Sequence, residues 1–328
     1  MKVVVLYSGL PEGARRDEED GLVQAELVTE TLTVLGHTVL RIPFGLDLAD
    51  MTLTLRSQNP SLVFNLVESA GGSDRLIHLA PALLDHLKIP YTGAGTEATF
   101  LSTNKILAKR IMAANGLATP RWHQLRGKEP FEPGRYIIKS VWEHASLGLD
   151  GESVVDVSGP AELERLLTAR NDRLGSDCFA EAFIEGREFN VSLLASREGP
   201  VVLPPAEMEF IDYPPGRSRI VDYRAKWEPS SWEYGATRRR FAFTREDNKL
   251  LDRLRELSIS CWRIFGLRGY ARVDYRVDHE GIPWILEINV NPCLGTDGGF
   301  LAAAAETGID LPEVMRRIVA DTLDMDRG

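Results

Sequence analysis

The stretch Gly269-Tyr-Ala-Arg-Val-Asp-Tyr-Arg-Val-Asp-His-Glu-Gly-Ile-Pro-Trp-Ile-Leu-Glu-Ile-Asn-Val-Asn-Pro292 decides how the chain is read. Residues 271–277 alternate apolar and polar side chains, Asp278-His-Glu-Gly281 is turn chemistry, and residues 284–290 make a return strand. Alternation puts Arg272 and Asp274 on one face, and Glu287 and Asn289 likewise share a face. A turn centred near Glu280 sets Asp274 roughly opposite Glu287. Two carboxylates and an amide oxygen drawn together call for a cation, and hard oxygen ligands suit Mg²⁺. Arg272 beside them suits a phosphate or an anionic transition state. The same spacing also fits an amphipathic hairpin whose polar face is merely solvated, so the rest of the chain must choose.

The chain has 328 residues, enough for two or three domains and a sizeable core. Composition is that of a globular protein, 44% hydrophobic and 26% charged. A net charge of −10 argues against a nucleic-acid partner held by counterion release, and nothing in the balance points to a membrane surface. Cys178, Cys261 and Cys293 are far apart and form no CxxC pair, which excludes a disulfide framework or zinc knuckle and fits a reducing cytoplasm. The apolar run at residues 3–6 is too short for a secretory leader, and no run approaches a membrane span.

In chain order, residues 2–7 read as a buried parallel strand, 21–35 as a helix, 37–42 as a second strand and 61–67 as a third. The charged stretch between Ser8 and Asp20 is expected to be a solvated loop. Glu68-Ser-Ala-Gly-Gly-Ser73 is a Gly-rich loop at a strand's C-terminal end, where ligands sit in doubly wound units. Helices are expected over 75–88 and 102–115, the second with Lys105 and Lys109 on one side and Lys109 exposed. Tyr136-Ile-Ile-Lys-Ser140 is a strand, joined by a loop carrying Ser146 and Gly148 to a β-run at 152–157; such a loop can lie over phosphates. A helix at 160–170 precedes two strands carrying Glu181 and Glu188. Residues 204–235 read as a long irregular, aromatic-rich and functional stretch. An amphipathic helix at 245–265 leads into the hairpin. The loop 291–299 and helices at 299–306 and 311–323 close the chain.

Taken together, Ile89-Pro-Tyr-Thr-Gly-Ala-Gly95, Thr103-Asn-Lys105, Ile138-Lys139 with Glu143-His-Ala-Ser-Leu-Gly148, Ala180-Glu-Ala-Phe-Ile-Glu-Gly-Arg-Glu-Phe189, Ala225-Lys226, and Arg272-Val-Asp274 with Glu287-Ile-Asn289 carry a resemblance. From near residue 2 to about residue 320 the chain resembles the ATP-grasp superfamily, within it the D-alanine–D-alanine ligase-like group. The resemblance implies an α/β fold, α+β in part: a small doubly wound parallel-sheet domain (1–100), a central subdomain (101–180) and a C-terminal subdomain (181–328), the last two enclosing ATP. It implies an ADP-forming carboxylate–amine ligase working through an acyl phosphate. Lys105 and Lys139 would contact ATP phosphates. Glu181, Phe183, Ile184 and Leu286 would hold the base, and Glu188 the ribose. Asp274, Glu287 and Asn289 would bind two Mg²⁺ ions, with Mn²⁺ as an alternative. Lys226 would reach the γ-phosphate, Ser146 would cover it, and Arg272 would stabilise the acyl phosphate and the tetrahedral species that follows. Partners are then a small carboxylate and an amine, and a homodimer is open.

Departures from the group fall on the amino-acid side. Ala145 and Ser146 stand where D-alanine–D-alanine ligases have a serine pair, and Trp227 where they have tyrosine. Gly298-Gly299 replaces a Ser-Leu pair, Cys293 a glycine, and Asn65-Leu-Val-Glu-Ser-Ala-Gly-Gly72 a histidine–glycine loop. These changes imply the same ligase chemistry on a different substrate pair, with Asp297 and Glu68 meeting amino or cationic groups at opposite ends. Trp227 would line the substrate pocket. Alternatives are an ATP-grasp phosphotransferase releasing a phosphorylated molecule, and a nucleotide-binding regulator without turnover.

Overall fold

The computed structural model describes residues 1–10 and 13–325. Residues 11 and 12 of the expected N-terminal loop therefore lie outside the described residues. The first third contains β1 (Lys2–Ser8), α1 (Arg16–Val34), β2 (Thr38–Phe44), α2 (Leu48–Gln58), β3 (Leu62–Leu66) and α3 (Leu79–Leu87). The strands form a parallel sheet in the order β2-β1-β3. β1 is apolar on both faces because both are covered. Val3 and Val5 pack with Ala25, Val28 and Leu32 of α1, while Val4 and Leu6 pack with Met51 and Leu55 of α2 and Leu83 and Leu84 of α3.

Two expectations fail here. The charge run at 15–20 is largely the first turn of α1. Asp17, Glu18 and Glu19 sit at the positive end of the helix dipole, and the Glu18 carboxylate accepts from the Arg15 backbone N–H at 2.8 Å. The second is α2, which the sequence reading passes over, although Met51 and Leu55 are spaced for one helix face and Asp47 caps it through Asp50 N–H.

The expected helix at 102–115 is two, α4 (Thr96–Thr103) and α5 (Lys105–Ala114). Asn104 separates them, its side chain accepting from the N–H groups of Ile106 and Leu107. This cap starts a fresh helix and puts Lys105 in its first turn. Next come β4 (Trp122–Gln124), β5 (Gly134–Ser140), β6 (Val154–Val157), α6 (Pro160–Leu174) and β7 (Cys178–Ala182). Their antiparallel sheet runs β4-β7-β5-β6. Tyr136, Ile138, Cys178 and Ala180 pack on Leu163 and Leu167 of α6, so alternation turns Lys139 and Glu181 to the opposite face.

The remaining strands are β8 (Arg187–Leu194), β9 (Val201–Val202), β10 (Ala206–Phe210), β11 (Thr237–Arg240), β12 (Tyr270–Val277) and β13 (Pro283–Asn289). They form a six-stranded sheet, β11-β10-β8-β12-β13, with β9 beside β8. The stretch 204–235, expected to be irregular, contains β10 and the short helices α7 (Tyr223–Trp227) and α8 (Trp232–Ala236). Glu207 of β10 explains why a polar segment can pair here: it bonds Arg187 at 2.7 and 2.8 Å and also pairs with Arg240. Helices α9 (Asn248–Ile264), α10 (Gly299–Ala305) and α11 (Leu311–Met325) cover the sheet and dock it on the N-terminal unit, where Val314, Met315 and Ile318 join the core of Val3 and Val5. No helix among the described residues is long and apolar enough to cross a membrane.

The hairpin forms as the spacing predicts, with one irregularity. Arg272 pairs with Asn289 and Asp274 with Glu287, but Tyr275 pairs with Ile285. Leu286 is therefore an extra residue on β13, a β-bulge. Ile285 and Ile288 lie in the core with Leu254 and Leu257 of α9, while Leu286, Glu287 and Asn289 line a cleft.

Candidate active site

A cavity of about 690 Å³ is lined by residues of both antiparallel sheets and by N-terminal residues including Asp20 and Glu68. It gathers Lys105, Lys139, Ser146, Glu181, Phe183, Ile184, Glu188, Lys226, Trp227, Arg272, Asp274, Leu286, Glu287, Asn289, Asp297 and Glu68, every site residue the sequence singles out.

At its cationic side, Lys105 Nζ donates to the Glu143 carbonyl at 2.5 Å and stands 3.9 Å from Glu287 Oε2. Lys139 Nζ donates to Glu181 Oε1 at 2.6 Å. Burial pulls the ammonium groups of Lys105 and Lys226 below the usual lysine range; the neighbouring Arg272 adds to the effect at Lys226, while Glu287 opposes it at both. Glu287 shows the reverse balance. Burial pushes its carboxyl up, but Lys105, His144, Lys226 and Lys139 outweigh that and hold it at about 2. It is a fully ionised oxygen donor.

Arg272 forks onto Asp274, with Nε to Oδ1 at 2.7 Å and a terminal nitrogen to Oδ2 at 2.8 Å. Asn190, opposite Asp274 on β8, donates to Oδ1 at 2.7 Å. Asn289 Oδ1 accepts from Asn291 N–H at 3.0 Å. Asp274, Glu287 and Asn289 form an all-oxygen donor set on one wall, the chemistry that suits a hard divalent cation such as Mg²⁺.

The part of the cleft around Phe183, Ile184 and Glu188 is organised by an arginine that sequence reasoning missed. Arg276 donates to Glu188 at 3.1 Å, to the Ile184 carbonyl at 3.0 Å and to the Arg219 carbonyl at 2.9 Å. Its guanidinium lies 5.0 Å from the Phe183 ring centre. Its spacing from Arg272 and Asp274 at every second residue of β12 was the available clue, as it was for Asn190 two residues beyond Glu188. Lys109 corrects a further expectation. It is fully buried, pairs with Glu181 and donates to Thr119 Oγ1 at 2.7 Å.

The loop 141–149 closes over the cleft. Ala145, Ser146 and Gly148 have positive φ of 56°, 61° and 74°, an unusual run for two residues bearing a Cβ. Tertiary bonds hold it: Ser146 Oγ donates to the Val221 carbonyl at 2.9 Å, Trp227 Nε1 to the Ala145 carbonyl at 3.0 Å, and His144 N–H to Asp74 Oδ2 at 2.7 Å. Tyr223 OH reaches Asp17 at 2.8 Å, tying the segment of Lys226 to α1.

Asp297 and Glu68, expected at opposite ends, both neighbour Asp20. The Gln24 amide donates to Asp20 at 2.9 Å and to Glu68 at 3.3 Å, while burial first and then the negative charge of Asp297 raise the Asp20 carboxyl against the Cys293 and Gln24 hydrogen bonds. Cys293 Sγ donates to Asp20 at 3.3 Å. Burial and Asp20 push that thiol far above the usual range, which is wrong for a nucleophile and right for a filler. Glu68 opens partly onto the cleft yet lies deep in the molecule. Burial first, then Asp20, raise its carboxyl to about 8 against the Gln24 hydrogen bond, with Asp74 and Asp17 adding to the rise.

The fold is that of the ATP-grasp ligases, and the family match and the relatives make the chain an ADP-forming ligase. Residues 135–320 match the family described as D-ala D-ala ligase C-terminus, and the chain belongs to that family. It is 31% identical over 255 residues to an uncharacterised protein of Sinorhizobium fredii, covering 77% of this chain and 71% of that one. It is 27% identical over 332 residues to a D-alanine–D-alanine ligase of Pelotomaculum thermopropionicum, covering 96% of both. The crystal structure of D-alanine–D-alanine ligase from Bacillus anthracis complexed with ATP shares the fold over all of both chains, with a TM-score of 0.74 at 19% identity.

Proposed function

We propose that the protein joins a small carboxylate to an amine through an acyl phosphate, with ATP as phosphoryl donor, and that its substrates are not two D-alanines. The observation that carries the chemistry is the convergence of Lys105, Lys139 and Lys226 with Asp274, Glu287 and Asn289 in one cleft. A carboxylate oxygen takes the γ-phosphoryl group and ADP leaves; the amine then attacks the acyl carbon, and phosphate departs with the C–O bonding pair. Lys105 and Lys139 bind ATP phosphates, Lys226 faces the transferred group, and Arg272 stabilises the negative charge that builds on it. Asp274, Glu287 and Asn289 would hold two Mg²⁺ ions, or Mn²⁺ in their place, which supply neutralisation of phosphate charge. Phe183, Ile184 and Leu286 enclose the base and Glu188 takes the ribose hydroxyls. The bonded loop 141–149, with Ser146, keeps water from the acyl phosphate.

The substrate reading rests on the acid wall. Asp20, Glu68 and Asp297 line the same cleft, and a cation on the substrate is the group that Asp20 and Asp297 attract and that draws the raised Glu68 carboxyl into its ionised form. Trp227, committed to the Ala145 carbonyl, lines the same region.

The test is incubation with ATP, Mg²⁺ and pooled amino acids. The expected result is ADP, phosphate and a condensed product by mass, with hydroxylamine trapping the activated carboxylate. A phosphorylated acceptor that resists hydroxylamine would identify a phosphotransferase instead, and absence of ADP under every pool would identify a regulator.

A further inference from the structure

One buried cation has no part in the chemistry just described. Lys109 has no exposure, yet its ammonium lies inside the protein with Glu181, itself only 1% exposed. Glu181 uses its other oxygen, Oε1, on Lys139 at 2.6 Å. The three groups form a line from the protein interior to the cleft: Lys109 at the back, Glu181 in the middle, Lys139 at the front and lining the cavity. Thr119 anchors the back, accepting from Lys109 at 2.7 Å and donating to the Ile285 carbonyl of β13 at 2.8 Å.

The charges decide what this line does. Lys139 and Glu181 alone would make a neutral pair, and a phosphate approaching Lys139 would also meet the field of a carboxylate behind it. Inside a protein that repulsion is weakly screened. Adding Lys109 cancels the carboxylate from behind and leaves one net positive charge, presented by Lys139. We propose that Lys109 is a positioning residue of the nucleotide site, the buried counterion that neutralises Glu181 so that the Lys139 charge faces the ATP phosphates. Burial raises and the two lysines more than lower the Glu181 carboxyl, which keeps it ionised between them.

This inference rests on the proposed ATP site, so the experiment reads nucleotide binding directly in the full chain. ADP with Mg²⁺ is titrated calorimetrically into the wild type, Lys109→Gln, and the double variant Lys109→Gln/Glu181→Gln, with thermal melting as the check on folding. Lys109→Gln keeps a donor for Thr119 but removes the charge, and is expected to weaken ADP binding by about tenfold or more. The double variant removes the carboxylate too, restores one net positive charge at Lys139, and is expected to bind ADP at least about threefold more tightly than Lys109→Gln. A merely structural role would weaken binding of adenosine, which carries no phosphate, in step with ADP, whereas the charge effect weakens ADP in Lys109→Gln and leaves adenosine unchanged. Wild-type affinity in Lys109→Gln, or a double variant as weak as the single, overturns the proposal. If Lys109→Gln alone fails to fold, the double variant is compared with Glu181→Gln, which lacks the same carboxylate: weaker ADP binding in the double variant supports the proposal, and equal affinity overturns it. A wild-type chain that binds no ADP would sink the ATP site itself, an outcome separable from failure of the Lys109 role.

Discussion

Glu287 stands opposite Asp274 while Ile285 stands opposite Tyr275, because Leu286 has no partner on β12. The bulge breaks strict alternation, so β13 buries Ile285 and still delivers Leu286 and Glu287 together to the cleft. Replacing Glu287 by glutamine removes ligand charge without changing packing. Turnover of the Glu287→Gln variant is expected to fall by about a hundredfold or more, with the melting midpoint held within about 3 °C of wild type. Steady-state ADP release and calorimetry check this. Turnover at the wild-type rate would place the metal-binding oxygens elsewhere.

Trp227 donates its indole N–H to the carbonyl of Ala145, a residue at positive φ in the loop over the cleft. Trp227→Phe keeps the ring and loses the donor. The loop is then held less firmly, and water competes with the amine for the acyl phosphate. ADP formed per molecule of product should rise by about threefold. A coupling ratio equal to wild type would show that the bond has no role in closure.

Glu68 gives a pH signature. Its carboxyl is raised from 4.5 to about 8 in the folded chain, by burial and by Asp20, Asp74 and Asp17, with Gln24 opposing; Tyr270 and Cys293 also feel its charge. Between those values the folded protein holds a proton that the unfolded chain has lost. Its contribution to stability is therefore present below the unfolded value and is lost as pH rises through about 8. Urea titrations of the nucleotide-free protein from about pH 5 to about pH 9 should show declining stability, and Glu68→Gln should flatten the decline. Parallel slopes for the two proteins contradict the assignment.

Asp297→Asn tests the acid wall. Removing that charge is expected to weaken the apparent affinity for the cationic substrate by about tenfold while leaving the KM for ATP unchanged. The measurement uses whichever amino acid the pooled assay identifies. Unchanged affinity for every substrate would remove Asp297 from the substrate site.

Much of the nucleotide half was legible in the sequence because its geometry is local. Residues 272 and 274 share a strand face by period, and the turn brings the return strand alongside them, although the bulge at Leu286 is what sets Glu287 opposite Asp274. Lys109 shows where that reasoning stopped. It shares the buried stripe of α5 with Lys105, Ala108 and Met112, so the helical period carried a clue. An unpaired lysine belongs in water, however, and the carboxylate that allows its burial lies on a strand far along the chain. The acidic run at the start of α1 misled for the opposite reason. Read as composition it is a solvated loop; read as position it is a helix N-terminus whose dipole favours negative charge.

The sequence by itself determined the parallel unit, the hairpin and the family, because strand period and turn chemistry act over a few residues. Tertiary structure alone decided the bulge at Leu286, the line from Lys109 through Glu181 to Lys139, and the meeting of Asp20, Glu68 and Asp297. Each joins groups on different elements, and which charges face one another is set by how the elements pack. Burial then fixes their strength, since the same pairs in water would be screened to little effect.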